Sequence, residues 1–100
     1  MEGKVINLGE SARRLNEIRK EVLDIETNIK ELQALKEDLK KSIVVLTPHE
    51  KYAAIRRRID DLFYLYQDTS QRIVKRQDKL QRLKNEEQKR MDSVTNRTIN

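Results

Sequence analysis

The chain has 100 residues, 39% of them charged and 36% hydrophobic, with Lys and Arg exceeding Asp and Glu by 22 to 17. Two glycines and one proline cannot supply the turns of a many-stranded sheet, and the absence of cysteine excludes a disulfide framework, a thiolate metal site and a thiol nucleophile. Such a composition favours a single domain built from long, heavily charged helices.

The first element follows from hydrophobic spacing. With heptad positions written a to g, Leu8, Leu15, Val22, Ile29 and Ile43 fall at a, and Ile18, Ile25, Leu32 and Leu39 fall at d. Ser11 and Lys36 interrupt the seam. A repeat of alternating threes and fours keeps one narrow apolar stripe on a helix facing a partner, which is the coiled-coil pattern. It predicts a helix over about residues 8–44.

The β-branched run Ile43-Val44-Val45 lowers helix propensity, and Thr47-Pro48-His49-Glu50 follows. Thr47 reads as an N-cap, Pro48 as the first helical residue and Glu50 as the reciprocal member of a capping box. The expectation is a turn over 45–47 and a second helix starting at Pro48. A single long helix kinked at Pro48 is the alternative that the cap signal argues against.

The second helix, expected over about 48–91, places Tyr52, Ile59, Tyr66, Ile73, Leu80 and Val94 at a, with Ile55, Leu62 and Leu83 at d. Thr69, Arg76 and Arg90 are polar residues at d. The segment 93–100 is polar and reads as a disordered tail. Residues 1–92 therefore form one all-α domain, an antiparallel αα-hairpin of coiled-coil type, expected to assemble into a helical bundle because two helices alone leave much apolar surface wet. Partner residues are expected to have numbers that add to 98, which brings Leu39 to Ile59, Leu32 to Tyr66, Leu15 to Leu83 and Arg14 near Glu86. A sum of 91 suits a short loop but opposes Arg14 to Lys79.

No catalytic, cofactor-binding or metal-binding residue is predicted. His49 is the sole histidine and stands on a first turn, without the converging ligands a metal requires or the cleft and partner a general base requires. No apolar run is long enough for a membrane span or a signal-peptide core, so a cytoplasmic protein is expected, with a nuclear one as an alternative and no membrane partner.

Two features point to binding. Leu62 to Tyr66 is a run of five large apolar or aromatic side chains, of which a single partner helix can cover only Leu62 and Tyr66. Phe63, Tyr64, Leu65 and Tyr66, joined by Leu35, form the predicted protein interface, with Leu23, Ala34 and Val74 as further apolar residues off the seam. The charge excess is the second feature. Acids and bases balance in residues 1–46, so the whole surplus lies beyond. Arg56, Arg57, Arg58, Arg72, Lys75, Arg76, Lys79 and Arg82 are the candidate nucleic-acid contacts, although they scatter over several heptad positions with no aromatic between them for base stacking. The sequence thus predicts a non-enzymatic coiled-coil protein that acts by protein–protein binding as scaffold, adaptor, assembly factor or inhibitor. It is expected to self-associate, most simply as a dimer. The alternative is a nucleic-acid-associated protein using the basic second helix.

Overall fold

The computed structural model describes the backbone of residues 2–99 and the side-chain surroundings of residues 9–93. Helix α1 spans Glu2–Leu46, a 3-10 turn spans Thr47–His49, and helix α2 spans Ala53–Ile99. The described residues contain no strand. The fold is an all-α helical hairpin with its two helices packed on one another.

Burial follows the heptads. From Ser11 to Ile43 every a and d residue of α1 is buried or half-buried, with Ile18, Val22, Ile25, Ile29 and Leu39 the most enclosed. On α2 the buried residues are Leu62, Thr69, Ile73 and Leu83, and Ile55, Ile59, Tyr66 and Leu80 are half-buried. Tyr52 and Arg76, both assigned to the seam, are exposed. Tyr52 precedes α2 and has no facing turn of α1, while the Arg76 guanidinium has no buried acceptor to compensate its desolvation. Leu8 and Val94, the outermost a residues, lie outside the described side chains.

The connection differs from the expected one. Pro48 has no N–H to offer the Val44 carbonyl, so α1 stops at Leu46. The chain does not turn there, because the 3-10 turn carries it on to His49. The Thr47 hydroxyl donates backwards to the Ile43 carbonyl at 2.7 Å, and the Glu50 amide bonds the Thr47 carbonyl at 3.1 Å. Thr47 therefore closes α1 instead of capping α2, and no side chain caps the 3-10 turn. The amide of Tyr52 bonds the His49 carbonyl, and α2 opens with the Arg56 amide on the Tyr52 carbonyl at 2.9 Å. The start of α2 thus lies at Ala53 and not at Pro48. At its other end α2 runs beyond Met91 to Ile99, into the segment expected as a tail.

The chain divides into two compact units. One joins Met1–Thr27 to Asp78–Asn100, and the other is the turn end, Asn28–Gln77. In the first unit, Arg14 and Glu86, both at g, meet at 3.4 Å, and Glu26 and Lys84, both at e, meet at 3.9 Å. These pairs sit on opposite flanks of the seam, with numbers adding to 100 and 110, so residues facing across the seam add to about 105. Val22 is then level with Leu83, and Ile25 with Leu80. In the turn unit the Lys36 amine lies over the Tyr66 ring, 5.3 Å from its centre, and the groove beside the turn joins Ser42, Val45 and Leu46 to Arg58 and Leu62. The same sum fits there, placing Leu39 level with Tyr66 and Ile43 with Leu62. The expected sum of 98 is too small by one heptad. The 3-10 extension of α1 accounts for it: the centre of the reversal, at half the sum, moves from His49 to between Tyr52 and Ala53, just before α2 begins.

Candidate protein interface

Five residues were expected to form one contact surface, and helix geometry spreads them over three directions. Phe63 is at e, Tyr64 at f and Leu65 at g, successive steps of about 100° round α2. Phe63 joins Tyr66, with ring centres 6.2 Å apart and planes tilted by 46°. Tyr66 itself is half-buried at the seam beneath the Lys36 amine, so it supports Phe63 and offers little surface of its own. Tyr64 points away from α1 and is 71% exposed. Leu65 lies on the opposite flank from Phe63.

Leu65 has a counterpart there. Leu35 and Leu65 both occupy g positions of the turn unit, and their numbers add to 100, the relation that Arg14 and Glu86 show in the other unit. The register therefore puts the two leucines side by side across the seam, and they remain 47% and 46% exposed. Phe63 and Val74 are on the other flank, 49% and 55% exposed. The 500 Å³ depression beside Val74 is lined mainly by polar residues, including Gln33, Glu37, Lys40 and Gln77.

Thr69, the buried polar residue of the α2 seam, is satisfied within its own helix. The Thr69 hydroxyl donates to the Leu65 carbonyl one turn back at 2.7 Å, and Ser70 donates to the Tyr66 carbonyl at 2.9 Å. Asn28 Oδ1 is enclosed without a hydrogen-bond partner.

The basic residues form two groups. Arg56 donates to the Glu50 carbonyl at 3.3 Å and helps fix the turn, while Arg57 and Arg58 are exposed. Further along α2, Arg72, Lys75, Lys79, Arg82 and Lys89 occupy g and c positions, only about 40° apart on the wheel. They make a band on one side of α2, and the scattered reading holds only for Arg76, Lys84 and Arg90. Arg72 is bound to Asp68 at 2.9 Å. The band shares its flank with Leu65.

Facing this band on the same flank, α1 carries a row that sequence reasoning missed. Its c positions are Glu10, Glu17, Asp24, Glu31 and Asp38, five acids at seven-residue intervals. All five are exposed. Reading the outer heptad positions with the same care as a and d would have found it. Arg14, at a g position beside the row, is held by three acids, Glu17 at 3.5 Å, Glu21 at 3.6 Å and Glu86 at 3.4 Å. The hydrogen bond from Arg14 holds the Glu86 carboxyl below its ordinary value, and Glu86 in turn raises Arg14.

Among the described residues no three His, Asp or Glu side chains are grouped to hold a metal ion, and no helix is long and apolar enough to cross a membrane. His49 is exposed at the end of the 3-10 turn. No known protein family, no curated protein and no solved structure matches the chain.

Proposed function

We propose that this chain is a non-enzymatic interaction protein, a helical hairpin that self-associates and acts as a scaffold, adaptor, assembly factor or inhibitor through protein–protein contacts. The observation that carries this reading is the apolar surface left uncovered around the turn unit. Leu35, Phe63, Tyr64, Leu65, Val44 and Val45 are all at least 46% exposed, on a hairpin whose seam is already filled. A pair of helices has too little interior to offset its chain entropy, and covering such side chains in a bundle supplies the missing burial. Aromatic and leucine side chains ringed by charge also match the composition of interface centres.

The test is a double variant, Phe63→Ser with Leu65→Ser, analysed by sedimentation and by capture of binding partners. Helix content is expected to persist, since neither residue belongs to the seam, while association is lost. An unchanged oligomer that no longer captures its partner would make the patch a surface for a foreign protein. Retention of both would refute the reading.

A second reading is favoured by the basic band from Arg72 to Lys89: a nucleic-acid-associated protein that contacts phosphates through α2. Binding of this kind weakens steeply with salt, because each neutralised phosphate releases counterions. The acids of α1 on the same flank oppose a polyanion, which ranks this reading second. Duplex and single-stranded oligonucleotides titrated at two salt concentrations test it.

A further inference from the structure

Within the turn unit, Asn28–Gln77, the e and b positions of the two helices form one flank. Its centre is the 500 Å³ depression beside Val74, a volume in the range of small-ligand sites, about 300–1,000 Å³. Gln33 and Lys40 line it from α1, and Ser70 and Gln77 from α2, all four at e. Lys36 and Tyr66 reach it from the seam.

Lys36 is the residue that calls for a partner. It occupies an a position and is half-buried, yet among the described ion pairs neither it nor Lys40 has a carboxylate. The Tyr66 ring, with its centre 5.3 Å from the amine, offsets part of the desolvation. An anion in the depression offsets more of it. Lys40 follows one turn later on the same helix, so the two ammonium groups can bracket one anionic group.

The charge of the flank points the same way. Lys30, Lys36, Lys40 and Arg56 stand there against Glu37 and Asp60. The opposite flank of the turn unit sets Glu31, Asp38, Asp61 and Asp68 against Arg58, Arg72 and Lys75. An anion is drawn to the first and not to the second.

The uncharged residues narrow the class of anion. Phe63, 49% exposed, extends the aromatic surface from Tyr66 toward the turn, with ring centres 6.2 Å apart. An exposed aromatic ring beside cations suits a base stacked next to its phosphate. The amides of Gln33 and Gln77 donate and accept, and the Glu37 carboxylate only accepts. Base edges and sugar hydroxyls offer donors as well as acceptors. Acidic side chains offer acceptors alone and would leave Glu37 and the amide oxygens unmatched. From Phe63 to Gln77 the flank is about 21 Å long, room for several nucleotides of one strand. A duplex keeps its base faces stacked and has none to give Phe63. The site is hidden in the sequence because its cations come from α1 and its aromatics from α2.

We propose that the e/b flank of the turn unit binds single-stranded nucleic acid. Lys36 and Lys40 hold phosphate, Phe63 stacks on a base, and Gln33, Glu37 and Gln77 meet base edges and sugar hydroxyls. This goes beyond both readings above, since it puts phosphate on α1 instead of the basic band of α2 and needs no second copy. It shares Phe63 with the apolar surface assigned to self-association, so the charge variants below leave that residue intact.

The experiment titrates the full chain into a labelled mixed-sequence DNA strand of about ten nucleotides and reads anisotropy at low salt. The wild type is expected to bind. Lys36→Met with Lys40→Gln is expected to weaken binding about tenfold. It should also lower the slope of log affinity against log salt by about 1.4, the share of two phosphate contacts. Phe63→Leu keeps an apolar side chain but loses the ring, and a loss of about fivefold is expected. Lys79→Gln with Arg82→Gln, on the basic band, should change affinity by less than about threefold. The same sequence as a duplex should bind about tenfold more weakly or worse. Circular dichroism verifies that each variant keeps its hairpin. Ultraviolet cross-linking of the wild type reads the site without any variant, with adducts expected on Phe63 or Tyr66. A wild type that binds no strand overturns the proposal. So do adducts confined to Tyr52 or Tyr64, equal affinity for the duplex, or a loss seen only in the basic-band variant. Competition by adenosine monophosphate as effective as that of the strand would assign the depression to a free nucleotide. Equal competition by oligoglutamate would assign it to an acidic protein, and either result overturns the strand.

Discussion

Thr47 shows how one hydroxyl reports on its surroundings. A threonine that caps a helix accepts from an amide ahead of it, and its loss typically costs about 1 kcal/mol. Here the hydroxyl donates to the Ile43 carbonyl on an exposed turn. Thr47→Ala is therefore expected to change stability by less than about 0.5 kcal/mol in a thermal melt. The uncapped end is at Tyr52, which precedes Ala53 and is exposed. Tyr52→Asp would place an acceptor and a negative charge over the free amides of α2 and is expected to stabilise by about 1 kcal/mol, visible as a higher melting temperature. Glu86 gives the pH dependence. Its carboxyl is held below the ordinary value of 4.5 by Arg14, so its contribution to stability is present above that value and disappears as pH falls through the lower folded value. Glu86→Gln should destabilise in urea titrations at pH 7, and the difference from wild type should vanish at strongly acidic pH.

At the level of the helix, the seam separates positions that matter from those that do not. Ile18 is fully buried, and Ile18→Ala is expected to cost about 2–5 kcal/mol, whereas Arg76→Ala, at a seam position but exposed, should cost little. Equal melting shifts for the two would contradict the packing. The seam was legible in the sequence because burial imposes a period that apolar residues mark, and every a and d position from Ser11 to Ile43 is buried or half-buried, even the polar Ser11 and Lys36. The register was less legible. Sliding one helix by seven residues leaves apolar residues opposite apolar residues, so the pattern is nearly blind to it. What decided between 98 and 105 was the handling of Thr47 and Pro48, where local signals for ending one helix and starting the next are the same residues. The run of large side chains over Leu62 to Tyr66 was legible, but its division among three directions was not, since which flank carries each residue depends on where the partner helix lies.

For the whole molecule, the chain's net charge of +5 conceals a more useful distribution. Net charge governs long-range attraction to polyanions, while rows of opposite sign on one flank govern what fits at contact. The two respond differently to salt. Self-association through an apolar centre with a charged rim should weaken several-fold between about 50 and about 500 mM salt, whereas phosphate binding through the band Arg72, Lys75, Lys79, Arg82 and Lys89 should fall by orders of magnitude. Measuring both on the same preparation ranks the two readings without assuming either.

The way Thr69 is satisfied has a bearing on how such a chain can change over time. Its hydroxyl is returned to its own helix, to the Leu65 carbonyl, and makes no demand on α1. A buried polar group that needed a partner across the seam would tie one residue of α1 to one residue of α2 and make every change of length between them costly. Without such a tie, arm length is free to vary in steps of seven. A duplication that adds one heptad to each arm should leave a hairpin with the same faces and a higher melting temperature. Adding four residues to one arm would turn every later side chain by about 40° and carry the apolar stripe off the seam. A tally of insertions and deletions accepted in a randomised library should accordingly peak at multiples of seven.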